Sequence, residues 1–260
     1  MKKYGTLILA TLSLIGCERE IDIDLNASDP RFVIEGMVST VIGESKVSIS
    51  KTLNFDETIP FPAISGAFVT VTDITINQTV TLDETSAGKY SKLGLVGIEG
   101  HSYTLTVKID SKTYTAVSTI PYQVQLDSLV QENLARKRSG GDGTLIRITP
   151  KYTDPSIYEN YYQYIVSKND ILLNDIFIRN DVGFNGSSAP RPLRVRADRN
   201  DVIKVAMQDI DKAAYNYFFG LNENLNQSSA TPANPTSNIS NGALGYFKGH
   251  TSQVKTIVIK

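Results

Sequence analysis

Residues 102–116 constrain the fold more than any other stretch: Tyr103, Leu105, Val107 and Ile109 alternate with Ser102, Thr104, Thr106 and Lys108. An apolar side chain at every second position makes one buried and one wetted face only on an extended backbone, where successive side chains point to opposite sides. The run passes through Asp110-Ser111 into Lys112-Thr113-Tyr114-Thr115-Ala116, and a two-residue turn between such runs reads as a β-hairpin. A lone hairpin is marginal in water, so the surrounding chain has to supply further strands.

It contains them. Val47, Ile49 and Leu53 alternate with Lys46, Ser48, Ser50 and Thr52, and Val69 and Val71, then Val80 and Leu82, flank the turn residues Asp73 and Asn77. About seven short strands over residues 27–121 predict an immunoglobulin-like β-sandwich. With one cysteine and no tryptophan, the core disulfide and tryptophan of antibody domains are missing, and periodicity alone carries the expectation. Pro121 closes this block.

Residues 122–260 read as a second, β-rich domain, with strands at 145–148, 161–166, 171–178, 202–207, 245–247 and 254–259. A helix is expected near 209–225, capped by Asp209 or Asp211, because a short carboxylate accepts from the free amides of a first turn. Ile210, Ala214, Tyr217, Phe218, Leu221 and Leu225 fall at helical spacing and would pack it on a sheet; Gly220 weakens it locally. The predicted class is therefore all-β, mainly strands with one helix.

The N-terminus carries a different signal. Lys2 and Lys3 precede an uncharged run over 7–15, the basic and apolar regions of an export signal, too short to span a bilayer. Leu14-Ile15-Gly16-Cys17 resembles a bacterial lipobox. The resemblance implies that residues 1–16 are removed, that the Cys17 thiol is acylated, and that 17–26 tether the protein to a membrane through its lipidated N-terminus. Each buried acyl methylene contributes about 0.8 kcal/mol, and two or more chains hold a protein stably on a bilayer. Asp22 and Asp24 in the tether read as solvated acids rather than a metal site. Losing two lysines takes Lys+Arg from 26 to 24 against 27 acids, a balance of −3, which gives no reason to expect nucleic acid as a partner. No later run approaches the ~18 apolar residues of a membrane-spanning helix.

Several segments together resemble the DUF4249 (domain of unknown function) family of outer-membrane lipoproteins: "GCEREIDIDL" at 16–25, "FVIEG" at 32–36, "SGAFVTVTD" at 65–73, "GHSYTLTVKIDSKTYTAVSTIP" at 100–121, "DIDKAAYNYF" at 209–218 and "NPTSNISNGALGYFKGH" at 234–250. The last is the most specific. The family is typically encoded near TonB-dependent outer-membrane transporters and has no established catalytic activity. The resemblance thus implies an outer-membrane-anchored, non-enzymatic accessory or ligand-capturing subunit of a nutrient uptake system, with a β-barrel transporter and a small nutrient as partners. Only the anchor, Cys17, transfers residue by residue. A surface hydrolase of glycans or peptides and a structural envelope protein are the alternatives.

Residue chemistry adds little that is specific. His101 and His250 lie far apart and lack zinc-ligand spacing. No Gly-x-Ser-x-Gly elbow or phosphate-binding glycine pattern occurs; "SGGDG" at 139–143 and "ARKR" at 135–138 read as loops. No cofactor, metal or catalytic residue is expected. Among Tyr158, Tyr161, Tyr162 and Tyr164, which could offer flat faces to a ligand, Tyr162 and Tyr164 read as core and the other two as cover for a sheet edge. Arg191, Arg194, Arg196 and Arg199 form the densest basic stretch and could grip carboxylates or phosphates, but with Asp198 and Asp201 beside them a self-satisfied ladder is expected. The polar run 222–241 is the preferred interaction loop, with Asn238, Ser240 and Asn241 serving either contacts or internal turns. Asp127-Ser128-Leu129 resembles a short O-glycosylation sequence of exported proteins.

Overall fold

A computed structural model describes residues 30–53, 60–133, 144–188, 191–225 and 234–260. The first strands are β1 (Phe32–Ser39), β2 (Lys46–Lys51), β3 (Phe68–Asp73), β4 (Gln78–Thr81), β5 (Asp83–Ser86), β6 (Lys89–Ser91), β7 (Ser102–Ile109) and β8 (Lys112–Thr119). Then come β9 (Ser128–Asn133), β10 (Thr144–Lys151), β11 (Tyr161–Lys168), β12 (Ile171–Leu172), β13 (Phe177–Asn180), β14 (Leu193–Ala197) and β15 (Val202–Asp209). Helix α1 (Lys212–Leu225) is followed by β16 (Leu244–His250) and β17 (Gln253–Val258).

The 102–116 alternation forms the β7–β8 hairpin. Ile109 pairs with Lys112, and Asp110 turns the chain at φ 52°, a left-handed conformation that Asp tolerates better than most residues. Two sheets then face each other, ordered β1-β2-β6-β5 and β4-β3-β7-β8, which is the ABED and C′CFG arrangement of an immunoglobulin-like sandwich. Ile34, Val38, Val47, Ile49, Val69, Val71, Leu105 and Val107 share the buried core, each stabilising the fold by about 1.5–3 kcal/mol.

A second pair of sheets, β14-β10-β9 and β12-β11-β15-β17, encloses Ile146, Ile148, Tyr162, Tyr164, Val166, Leu193, Val195, Ile203, Val205 and Met207. Residues 171–178, expected as one strand, divide into β12 and β13, both on the same side of β11. Asn174 and Asp175 are exposed between them, and a chain that must solvate two polar side chains leaves the ladder there.

One strand crosses between the two halves. β16 lies parallel to β1, Val33 opposite Leu244 through Ser39 opposite His250, and adds a fifth strand to the first sandwich. The sequence division at 121/122 therefore misses residues 244–250, which belong to a sheet of the first half, while β17 returns to the second. Gly245 makes the approach feasible: its φ is +99°, and a Cβ there would lie 2.0 Å from the Ile34 carbonyl oxygen. Asn238 fixes the other edge of β16, accepting from the Phe247 amide at 2.9 Å and donating to the Phe247 carbonyl at 2.8 Å.

Asp211, not Asp209, caps α1, its Oδ1 accepting from the Ala214 amide at 2.8 Å. Ala214 and Phe218 are buried, with Tyr217 and Leu221 packed alongside against Tyr246 of β16. Leu225 departs from the expected buried face and is exposed.

Candidate functional site

Two groupings of ionisable side chains stand out, and access separates them. The first lies where β16 meets the second sandwich. Gln163 of β11 and Gln208 of β15 sit directly opposite each other, and both side-chain carbonyls accept from the Lys248 ammonium at 2.7 Å. The Phe218 ring lies 5.4 Å from the same nitrogen. Lys248 is only 3 % exposed, and burial pulls its amine down to about 7. On the next inward position, His250 is 0 % exposed with neither ring nitrogen hydrogen-bonded. Its Nε2 is 3.7 Å from Glu44 Oε2, too long for a hydrogen bond, so the contact is electrostatic. Burial, then the Lys248 charge, lowers the His250 imidazole to about 4.

Asp209, 1 % exposed, accepts from the Thr251 hydroxyl and, at 3.2 Å, from the Val124 amide. Burial pushes its carboxyl up to about 7. Asp211 also receives the Ser118 hydroxyl, whose oxygen accepts from the Gly249 amide at 2.6 Å. Lys248, His250 and Asp209 are sealed from solvent. Their chemistry is that of a buried polar seam between two sandwiches, in which the His250 nitrogens and Asp209 Oδ1 have no hydrogen-bond partner among the described residues, not of a site that a substrate reaches.

The second grouping is open. A cleft of about 690 Å³ is bounded by β13, the segment leading into β14 and one face of α1, a size within the ~300–1,000 Å³ typical of ligand sites. Arg179 comes from β13, and Arg191 and Arg194 from the chain at β14. Tyr215, Phe219, Asn222 and Leu225 recur every three or four residues along α1, so they share one face and line the cleft together. Tyr215 and Phe219 stack at 6.0 Å, and Phe219 is 48 % exposed. Phe177 completes the apolar lining.

Among the described residues none of Arg179, Arg191 or Arg194 has an ion pair. Arg179 Nη1 donates to the neighbouring Ile178 carbonyl at 2.9 Å, and its buried Nε has no partner. Burial, and after it the charge of Arg191, pulls the Arg179 guanidinium below its ordinary value. Arg194 also faces Arg147 directly across the β10–β14 pair, and like charges at such positions are destabilising. Among the described residues the ion-pair partner of Arg147 is Glu132, at 4.0 Å. The result is an outward-facing concentration of positive charge beside aromatic rings.

The expected ladder of arginines with Asp198 and Asp201 does not form among the described residues. The Asp201 carboxylate accepts instead from the Asp198 amide and from Asn169 Nδ2, both at 2.8 Å. Tyr162 and Tyr164 are core as expected, while Tyr158 stacks on Tyr122 at 5.9 Å and Tyr161 lies 5.1 Å from Tyr215. His101 bonds Asp73 at 2.7 Å and serves a turn. Of the 222–241 loop, residues 222–225 belong to α1 and 226–233 fall outside the described residues. Ser240 and Asn241 pin its far end, Ser240 through the Thr115 backbone and Asn241 Nδ2 through the Thr113 carbonyl at 2.6 Å. Ser128 is exposed at the head of β9. Cys17, Asp22, Asp24 and residues 135–143 lie outside the described residues.

Among the described residues no three His, Cys, Asp or Glu side chains converge as a metal site, and no helix is long and apolar enough to cross a membrane. Phe177, Tyr215 and Phe219 are site residues that sequence reasoning missed, and so is Arg179. Its stretch reads as an ordinary strand, and only the fold brings it to Arg191 and Arg194. Compared with known protein families, the chain matches the family model described as a domain of unknown function (DUF4249) over residues 18–256, and it belongs to that family. No curated protein matches it.

Proposed function

We propose that this DUF4249 protein is a non-enzymatic ligand-capturing lipoprotein, held on the outer membrane through an acylated Cys17 and serving a TonB-dependent β-barrel transporter. The observation that carries the reading is the open cleft, in which three arginines with no ion pair among the described residues adjoin aromatic rings. Like charges facing each other across a strand pair, as Arg147 and Arg194 do, are destabilising, and a ligand that supplies negative charge accounts for keeping them. The cleft lining holds one carboxyl, Asp175, and no histidine; these are groups for gripping a ligand rather than for passing a proton between two of them. The lipobox-like run ending at Cys17 supports the anchor.

The test is a mild-detergent pull-down of the native protein from its own membranes, with Cys17→Ala as control and co-purifying proteins identified by mass spectrometry. A stoichiometric β-barrel with the native protein alone supports the accessory role. Its absence despite confirmed acylation refutes that role and brings hydrolase assays forward.

A further inference from the structure

We infer that the cleft selects a small organic anion, with a carboxylate or phosphate ester seated on Arg179, Arg191 and Arg194 and a planar apolar body laid against Phe177, Tyr215 and Phe219. The inference rests on the ligand-capture reading and narrows it to a chemical class.

Three features carry it. First, a guanidinium presents its donors in a flat fork that matches two oxygens of a carboxylate or phosphate. Arg179 spends one donor on Ile178 and lines the cleft with no ion pair among the described residues, so an anion would supply the counter-charge that it lacks. Second, the arginines arrive from two separate segments, β13 and residues 191–194 at the start of β14, and Arg147 sits opposite Arg194. Mutual repulsion is thus built into the frame, and a single bound anion relieves it at several groups at once. Third, the wall opposite the charge is aromatic and partly solvent-exposed, with Tyr215 and Phe219 stacked at 6.0 Å. Flat rings favour a flat apolar partner over an inorganic ion. The Tyr215 hydroxyl accepts from Asn180 Nδ2 at 3.2 Å, which holds that ring in place. Asp175, at the rim, disfavours ligands carrying more negative charge on that side.

The experiment is titration calorimetry on the mature chain with four probes: 3-phenylpropionate, phenyl phosphate, neutral 3-phenylpropanol and inorganic phosphate. The two aromatic anions are expected to bind at least about tenfold more tightly than either the neutral alcohol or inorganic phosphate, as charged hydrogen bonds and ring contact both contribute. Comparing them shows whether carboxylate or phosphate is preferred. Arg179→Met is expected to weaken the anions about tenfold and leave the alcohol unchanged; Arg191→Gln, at an exposed position, gives the same direction should Arg179→Met fold poorly. Raising the salt concentration weakens the anions only. Equal binding of the alcohol and the anions, or anion binding indifferent to both arginine changes, overturns the anion class while leaving ligand capture standing. No binding of any probe to the folded protein overturns the class as well, and the membrane pull-down judges the transporter role separately.

Discussion

Lys248 shows how a single side chain can link pH to folding. Its amine falls to about 7 in the folded chain against an ordinary 10.5. Between these values the unfolded chain holds a proton that the folded one lacks, so this group makes stability rise with pH above 7. Tyr103 and Tyr217, pushed up to about 12 by burial, act the opposite way above pH 10, because there the folded chain keeps protons that the unfolded one loses. Urea midpoints of the native protein are expected to climb from pH 7 to about 9.5, and those of Lys248→Met to stay flat. A climb of equal size in both proteins would remove Lys248 as its source. The groups facing this amine are Gln163, Gln208 and Phe218, with Glu44, Lys46 and Asp211 acting through charge. None of this pairing could be read locally, because Gln163 and Gln208 meet only through the β11–β15 register.

At the scale of elements, β16 depends on two features outside its own apolar pattern. Gly245→Ala forces a Cβ against the Ile34 carbonyl at a positive φ, and a loss of about 3 kcal/mol or more is expected in chemical unfolding. Asn238→Ala removes both of its bonds to Phe247 and should cost about 1–3 kcal/mol; a change within a few tenths would show that those bonds do not hold the strand. The β7–β8 hairpin was legible in the sequence because its alternation and its turn are neighbours. The place of β16 was not, since a parallel partner about 200 residues away leaves no local mark. The same holds for the cleft: Arg191 and Arg194 are visible as a basic stretch, whereas Arg179 joins them only through the fold that sets β13 beside the start of β14.

At the scale of the molecule, β16 and β17 tie the sandwiches together, each completing a sheet in a different half. Lys248 and Asp209 lie on this seam, and a chain so joined is expected to unfold in one cooperative transition rather than two. Scanning calorimetry resolving two well-separated transitions would refute it. Ending the chain after residue 243 should cost more than the lost strands themselves, since it bares the edges of β1 and β15 and leaves Gln163 and Gln208 facing an emptied position; its amide spectrum is expected to lose dispersion in both halves. There is also a consequence in time. A ribosome delivers this chain from its N-terminus, so β1 to β8 emerge long before the strand that closes their sheet. The first sandwich must wait with the β1 edge uncovered until residues 244–250 arrive, which favours keeping the chain pliant during synthesis and locking it only when β16 is in place.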